Sequence, residues 1–176
     1  MLSTAKAVVL AGTSPFAYQH RDLVPAIHKK IPIIGLNHFP ERIYNPVDYW
    51  FLLDSFNPEF YKYINKQKIV TQAFTCIGDY PYYFKYVNSE SFQFEKNGFL
   101  GGALNAAIFA LNFAYVEGFR NVYLFGVDFA GWRDEAYCRA CREYVEEINT
   151  VEGFSIKTLN PDSSINIEHI NMEVLL

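Results

Sequence analysis

The chain has little cysteine. Its three cysteines, Cys76, Cys138 and Cys141, are too few for a disulfide framework, so the sequence predicts a reduced, cytoplasmic protein. Cys138 and Cys141 have the C-x-x-C spacing of metal and redox sites, but their charged helical segment contains no second pair and no histidine. No metal site and no cofactor are therefore expected.

Positive charge is also scarce. Lysine and arginine number 15 against 19 aspartates and glutamates, which gives a formal net charge of -4. Such a chain has no broad cationic field to bind a nucleic-acid backbone. Nucleic acid is therefore excluded as the expected partner, whereas small molecules and other proteins are not.

Apolar runs of membrane-spanning length are missing as well. The longest candidate, residues 99–116, contains Asn105 and Asn112 and is typical of a buried helix. The first residues lead into a strand-like segment without the pattern of a signal peptide. Neither a membrane span nor export is predicted.

The chain is rich in residues that build a core. Of its 176 residues, 51% are hydrophobic and 18% are aromatic. This length is typical of one domain, so residues 1–176 are predicted to form a single unit. Aromatic rings fill cores, and they also stack on planar ligands.

Short apolar segments alternate with helical ones along the chain. Strands are predicted at 7–11, 31–36, 49–53, 68–71, 121–129 and 155–159, and helices at 22–30, 58–65, 101–115 and 134–148. This alternation predicts an α/β protein with a Rossmann-like three-layer fold and a mostly parallel sheet. Residues 76–98 alternate aromatic and polar side chains instead, which favours an excursion such as a hairpin.

Small and polar residues directly follow several predicted strands. Ligands of such sheets bind at the carboxyl ends of the strands, so these residues are the candidates for a nucleotide site. They are Gly12, Thr13 and Ser14 after the first strand, Asn37 after the second, Gly101 and Gly102 at a helix start, and Gly126 and Asp128 at the end of the fifth. Glycine and hydroxyl residues at these places can cradle a phosphate, and Asp128 can accept from sugar hydroxyls. Each of them is also common in plain turns and caps.

Several of these motifs together resemble a known family. Residues 11–15, 35–39, 101–102 and 118–129 look like those of bacterial lipooligosaccharide sialyltransferases, and the same core resembles archaeal hydroxymethylpterin diphosphokinases. The resemblance implies a cytidine-nucleotide site, with Gly12, Thr13 and Ser14 near the phosphate and Asn37 near the nucleotide. It also implies that Gly101 and Gly102 lie near the sugar or base.

The chain departs from that family in two places. Thr13 stands where the family has asparagine, and residues 130–133 lead directly into a helix where the family has a lid with paired tyrosines and a catalytic histidine. The lid is therefore expected to be reduced or absent. His38, beside Asn37, and Asp128 are the catalytic candidates, while Tyr80, Tyr82, Tyr83 or Arg133 could offset charge on the phosphate.

Three functions follow from these patterns. The first is a sialyltransferase-like nucleotide-binding protein, or a minimal glycosyltransferase that uses a CMP-sugar. The second is a non-enzymatic binder that sequesters a nucleotide signal. The third is an assembly protein in which residues 80–94 and the apolar tail 165–176 form a contact surface, including that of a homo-oligomer. The tail could equally fold back onto its own core.

Overall fold

The structure, a computed structural model, describes residues 6–52, 68–71, 82–83, 85–86, 98–99, 105–131 and 133–176. The strands are β1 (Ala7–Ala11), β2 (Ile33–Leu36), β3 (Tyr49–Leu52), β4 (Lys68–Thr71), β5 (Tyr82–Tyr83), β6 (Lys85–Tyr86), β7 (Gly98–Phe99), β8 (Asn121–Phe125) and β9 (Ser155–Thr158). The helices are α1 (Pro15–Gln19), α2 (Val24–His28), α3 (Phe39–Arg42), α4 (Ala106–Val116) and α5 (Glu135–Ile148), with 3-10 turns at Arg21–Leu23 and Met172–Leu175.

Seven of the strands form one sheet in the order β5-β4-β3-β2-β1-β8-β9. Every pairing in it is parallel. The chain moves from β1 towards β5 on one side and later continues from β8 to β9 on the other. The predicted α/β fold is confirmed, and β1 lies inside the sheet beside the point where the strand order reverses.

Apolar layers cover both faces of the sheet. On one face, Val8 and Leu10 pack against α4 and α5; on the other, Val9 and Ala11 pack against α1 and α2. A strand buried on both faces has no polar alternation, which is why β1 reads as a continuous apolar run.

Helix α4 is the most deeply buried helix of the described chain. All of its residues from Ala106 to Ala114 are buried and all of them except Asn112 are apolar, so the helix is not amphipathic. It ends at Val116, and Gly118 follows with a φ of 82°, the left-handed conformation that glycine adopts after a helix. Within the described residues, no helix is both long enough and apolar enough to cross a bilayer.

Two predicted segments differ from the structure. Strand β8 stops at Phe125 and does not run to residue 129, because Gly126 (φ 67°) and Phe129 (φ 47°) turn the chain away from the sheet. Residues 76–98 were predicted as an excursion, with a hairpin as one form of it; instead, β5 extends the main sheet at its edge and β6 pairs in parallel with β7. The predicted helix at 58–65 lies outside the described residues.

The carboxyl-terminal tail folds back onto the core. Ile165 and Leu175 are buried, and Ile170 donates its backbone N–H to the carbonyl of Thr158 at 3.0 Å. His169 forms a parallel bridge with Thr158 at the edge strand β9. Of the two roles predicted for the tail, the structure therefore shows the intramolecular one, and oligomerisation stays a prediction.

Shortening Leu175 to alanine should destabilise the protein, because its side chain is 1% exposed and packs with α1 and α2. We expect a loss of about 2–4 kcal/mol in the free energy of unfolding, measured by urea denaturation. The matched control is Val174→Ala next to it, which is 53% exposed and should change the free energy by less than about 0.5 kcal/mol. Equal effects of the two substitutions would show that the tail does not pack as described.

Candidate functional site

A cavity of about 740 Å³ opens at the carboxyl ends of β1 and β8. This is the place where the order of the strands reverses, and in open parallel sheets ligands bind in the crevice that forms there. The volume lies within the range of small-molecule sites. Of the residues that the sequence singled out, seven line this cavity: Gly12, Thr13, Ser14, Asn37, Gly126, Asp128 and Arg133.

The turn after β1 and the turn after β8 touch one another. Gly12 donates its N–H to the carbonyl of Phe125 at 2.8 Å, and Ser14 donates its N–H to that of Gly126 at 3.3 Å. A Cβ on Gly12 would lie 2.4 Å from the Gly126 carbonyl oxygen, so the contact requires glycine. The two turns therefore form one wall of the cavity.

Ser14 brings a hydroxyl to this wall. Its Oγ is buried and has no hydrogen-bond partner among the described residues. A buried hydroxyl without a partner costs free energy, and such groups are found where a ligand completes the hydrogen bond. Together with Thr13, it gives this wall two hydroxyl groups.

Asn37 has a backbone fixed at both ends. Its N–H donates to the Phe51 carbonyl at 2.8 Å, and its own carbonyl accepts from the indole Nε1 of Trp50 at 2.7 Å. Its φ of 44° is in the left-handed region, which asparagine tolerates better than most residues. These bonds fix the backbone of Asn37, which is one of the residues that line the cavity.

Asp128 is held by two residues that follow β9. Asn160 donates from Nδ2 to the Asp128 carboxylate at 2.9 Å, and the Ser164 hydroxyl donates to the Asp128 carbonyl at 2.7 Å. Asn160 is only 8% exposed, so this bond is shielded from water. One carboxylate oxygen is thereby oriented, and the carboxylate is left as a hydrogen-bond acceptor for a ligand.

The amino terminus of α4 also lines the cavity. Asn105 caps this helix by accepting from the N–H of Ala107 at 2.8 Å, and its Nδ2 donates to Cys141 Sγ at 3.7 Å. The sequence pointed to the start of this helix through Gly101 and Gly102, but both glycines lie outside the described residues. The residues found at the cavity are Asn105, Ala106 and Ala107. Asn105 was missed as a site residue, although asparagine before an apolar helix is a capping signal.

His38 is not among the residues that line the cavity. Asn37 and His38 form the turn between β2 and α3, and His38 is the N-cap residue of α3, with its Nδ1 3.0 Å from Glu41 Oε2. Asn37 therefore lies at the cavity, whereas its neighbour His38 does not line it and pairs with Glu41 of α3. Of the two catalytic candidates, the cavity contains Asp128.

Cys141 and Tyr137, both on α5, are kept in their neutral forms. Burial raises the pKa of the Cys141 thiol, and burial together with the nearby Cys141 raises the pKa of Tyr137 to about 12. Cys138 and Cys141 are both fully buried and belong to the core, and the neutral thiol of Cys141 is a poor nucleophile. Among the described residues, no group of three His, Cys, Asp or Glu side chains could hold a metal ion.

Comparison with known proteins gives structural matches only, because neither a family model nor a curated protein matches the sequence. The MAf glycosyltransferase from Magnetospirillum magneticum AMB-1 superposes with a TM-score of 0.62 at 14% identity, covering 97% of this chain and 35% of that one. The chain therefore spans about a third of that protein.

Sialyltransferases match over most of their own length. CST-II in complex with a trisaccharide acceptor and CMP has a TM-score of 0.58 at 11% identity, covering 94% of this chain and 86% of that one. The Campylobacter jejuni α-2,3-sialyltransferase in apo form has a TM-score of 0.53 at 12% identity, covering 96% of this chain and 82% of that one. These matches show a glycosyltransferase-like fold, and they lend no support to the resemblance to hydroxymethylpterin diphosphokinases.

Proposed function

We propose that this chain binds a nucleotide-activated sugar of the CMP-sugar type in its cavity and acts as a minimal, sialyltransferase-like glycosyltransferase. The observation that carries the proposal is the meeting of Gly12, Ser14, Asn37 and Asp128 at one open cavity beside the reversal of strand order. Fold alone does not imply function, so the argument rests on these side chains. The CMP seen in complex with CST-II makes a cytidine nucleotide the first ligand to test.

Each wall of the cavity suits a different part of such a ligand. The turn at Gly12, Thr13 and Ser14 offers hydroxyl donors and a close backbone for the phosphate. The Asn37 amide both donates and accepts hydrogen bonds, as the edge of a base or a ribose requires. The Asp128 carboxylate accepts from sugar hydroxyls.

In a transfer reaction, Asp128 would act as the general base. It would take the proton of the acceptor hydroxyl while that oxygen attacks the anomeric carbon of the donor, and the bond from this carbon to the phosphate oxygen would break. Asn160 would keep the carboxylate oriented during this step.

We also propose that the protein is cytoplasmic, as expected from the sequence. The free thiols of Cys138 and Cys141 support this location.

Calorimetry with CMP, a CMP-sugar, UDP, a UDP-sugar, AMP and GMP tests this proposal. We expect saturable one-to-one binding of the cytidine ligands, with a Kd of about 1 µM to 1 mM, the range in which enzymes bind small substrates. Turnover of the bound CMP-sugar, followed by release of CMP, would then establish the transfer activity. Folded protein that binds none of the six ligands would contradict the proposal.

One observation favours a second candidate function. No histidine lies among the described residues that line the cavity, so the only base found there is Asp128. A chain that binds a nucleotide and sequesters it without turnover would need no stronger base. Tight binding of CMP with no release of product from any CMP-sugar would identify this second function.

A further inference from the structure

One cationic side chain reaches the cavity. Arg133 is the only lysine or arginine among the described residues that line it, and Asp128 is the only acid. The phosphate of a bound nucleotide is negatively charged. Arginine is suited to bind it because its planar guanidinium donates several hydrogen bonds at once. Arg133 is therefore the candidate contact for the phosphate of the ligand.

Tyr137, one turn further along the chain, lies against this guanidinium. The guanidinium carbon of Arg133 is 5.2 Å from the centre of the Tyr137 ring, within the range of a cation–π contact. Burial raises the pKa of Tyr137 to about 12, so the phenol stays neutral and carries no charge that would compete with a phosphate. The ring is thus a neutral surface beneath the cation.

The backbone around Arg133 is fixed by the start of α5. Asp134 caps this helix by accepting from the N–H of Tyr137 at 3.0 Å, and the carbonyl of Arg133 accepts from Cys138 Sγ at 3.7 Å. Arg133 is the residue directly before this cap, so its backbone lies at the start of α5.

We propose that Arg133 binds the phosphate of the ligand, and that Tyr137 is a positioning residue that holds its guanidinium in place. This inference rests on the proposed function and adds a ligand class to it: phosphate-bearing nucleotides are bound in preference to nucleosides. In a transfer reaction, the same guanidinium offsets the negative charge that grows on the phosphate as it leaves. Arg133 thus provides, from the start of a helix, the charge that offsets the leaving phosphate.

Calorimetry with CMP and cytidine separates this role from general binding. Arg133→Ala is expected to weaken CMP binding by about 10–100-fold, as loss of a charged hydrogen bond does, and to leave cytidine binding unchanged. Arg133→Lys should recover part of the CMP affinity because it keeps the charge and loses the planar fork. The control is Arg139→Ala on the same helix, whose side chain is 66% exposed and pairs with Glu143, and which should bind both ligands as the unchanged protein does.

Two substitutions test the role of Tyr137. Tyr137→Phe keeps the ring and should retain CMP affinity, whereas Tyr137→Leu should weaken CMP binding by about 2–5-fold and leave cytidine binding unchanged. Circular dichroism checks that each variant is folded, and Arg133→Gln replaces the alanine variant if that one is not.

The outcomes distinguish the two proposals. If the unchanged protein binds neither CMP nor cytidine, the proposed function fails and this inference fails with it. If the unchanged protein binds CMP but Arg133→Ala binds it equally well, only the role of Arg133 is overturned. Equal losses of CMP and cytidine affinity in Arg133→Ala would also overturn it, because they would indicate damage to the cavity and not loss of a phosphate contact.

Discussion

Replacing Gly126 with alanine is expected to lower the free energy of unfolding by about 3 kcal/mol, through strain and overlap together. The φ of 67° at Gly126 places the residue in the left-handed region, where a Cβ is disfavoured. The added Cβ would also lie 2.5 Å from Ala17 Cβ and 2.9 Å from the Gly12 carbonyl oxygen. Because α1 and the end of β1 both meet this residue, neither neighbour can move away without loss of packing elsewhere.

Gly131 provides a control in the same loop. Its φ of 72° is nearly that of Gly126, but a Cβ there would have no neighbour within 4 Å among the described residues. Gly131→Ala should therefore cost only about 1 kcal/mol, the strain of the backbone alone. Urea denaturation of both variants measures the difference. Equal losses would mean that the close contact between the two turns is not needed for stability.

Replacing Asp128 with alanine should weaken binding of a CMP-sugar by about 10–100-fold, which corresponds to loss of hydrogen bonds to a charged acceptor. The carboxylate is already oriented by Asn160, so its contribution to binding is not reduced by the cost of ordering it. Asp128→Asn should lose less affinity than alanine, since it keeps one oxygen, but it should lose any transfer activity. Affinity is measured by calorimetry and activity by release of CMP.

Glu152→Gln is the matched control for Asp128. Glu152 is exposed in the turn before β9, at the amino ends of the strands and therefore on the edge of the sheet opposite the cavity. Removing its charge changes the net charge by the same amount as Asp128→Asn and should leave binding unchanged. If both variants lose affinity equally, a general electrostatic effect and not the placement of Asp128 is responsible.

The strands were predicted well because their apolar runs end at turn residues. β1 was predicted with its observed bounds, and so was β4. Helix α5 also follows its signals, with Asp134 as its cap. Helices α1 and α3 were not predicted, because five and four residues are too few to show a helical period and each begins around a proline that also marks turns.

The part of the site on the strand ends was predictable for a geometric reason. Parallel strands bring all their carboxyl ends to one edge of the sheet, so Gly12, Asn37 and Asp128 could be assigned together from three separate segments. The side chains that support them could not be assigned in this way. Asn160 orients Asp128 from the segment that follows β9, and Tyr137 contacts Arg133 because α5 begins next to that arginine.

By itself, the sequence determined the α/β architecture, the succession of strands and the residues that follow each strand, because these depend on local runs of apolar residues and the turns between them. The tertiary structure decided which of those residues share a cavity. It placed Asn37 but not its neighbour His38 at the cavity, turned the chain after β8 away from the sheet at Gly126 and folded the tail onto the core. Those outcomes depend on the direction of a turn and on contacts between distant segments, which neighbouring residues do not specify.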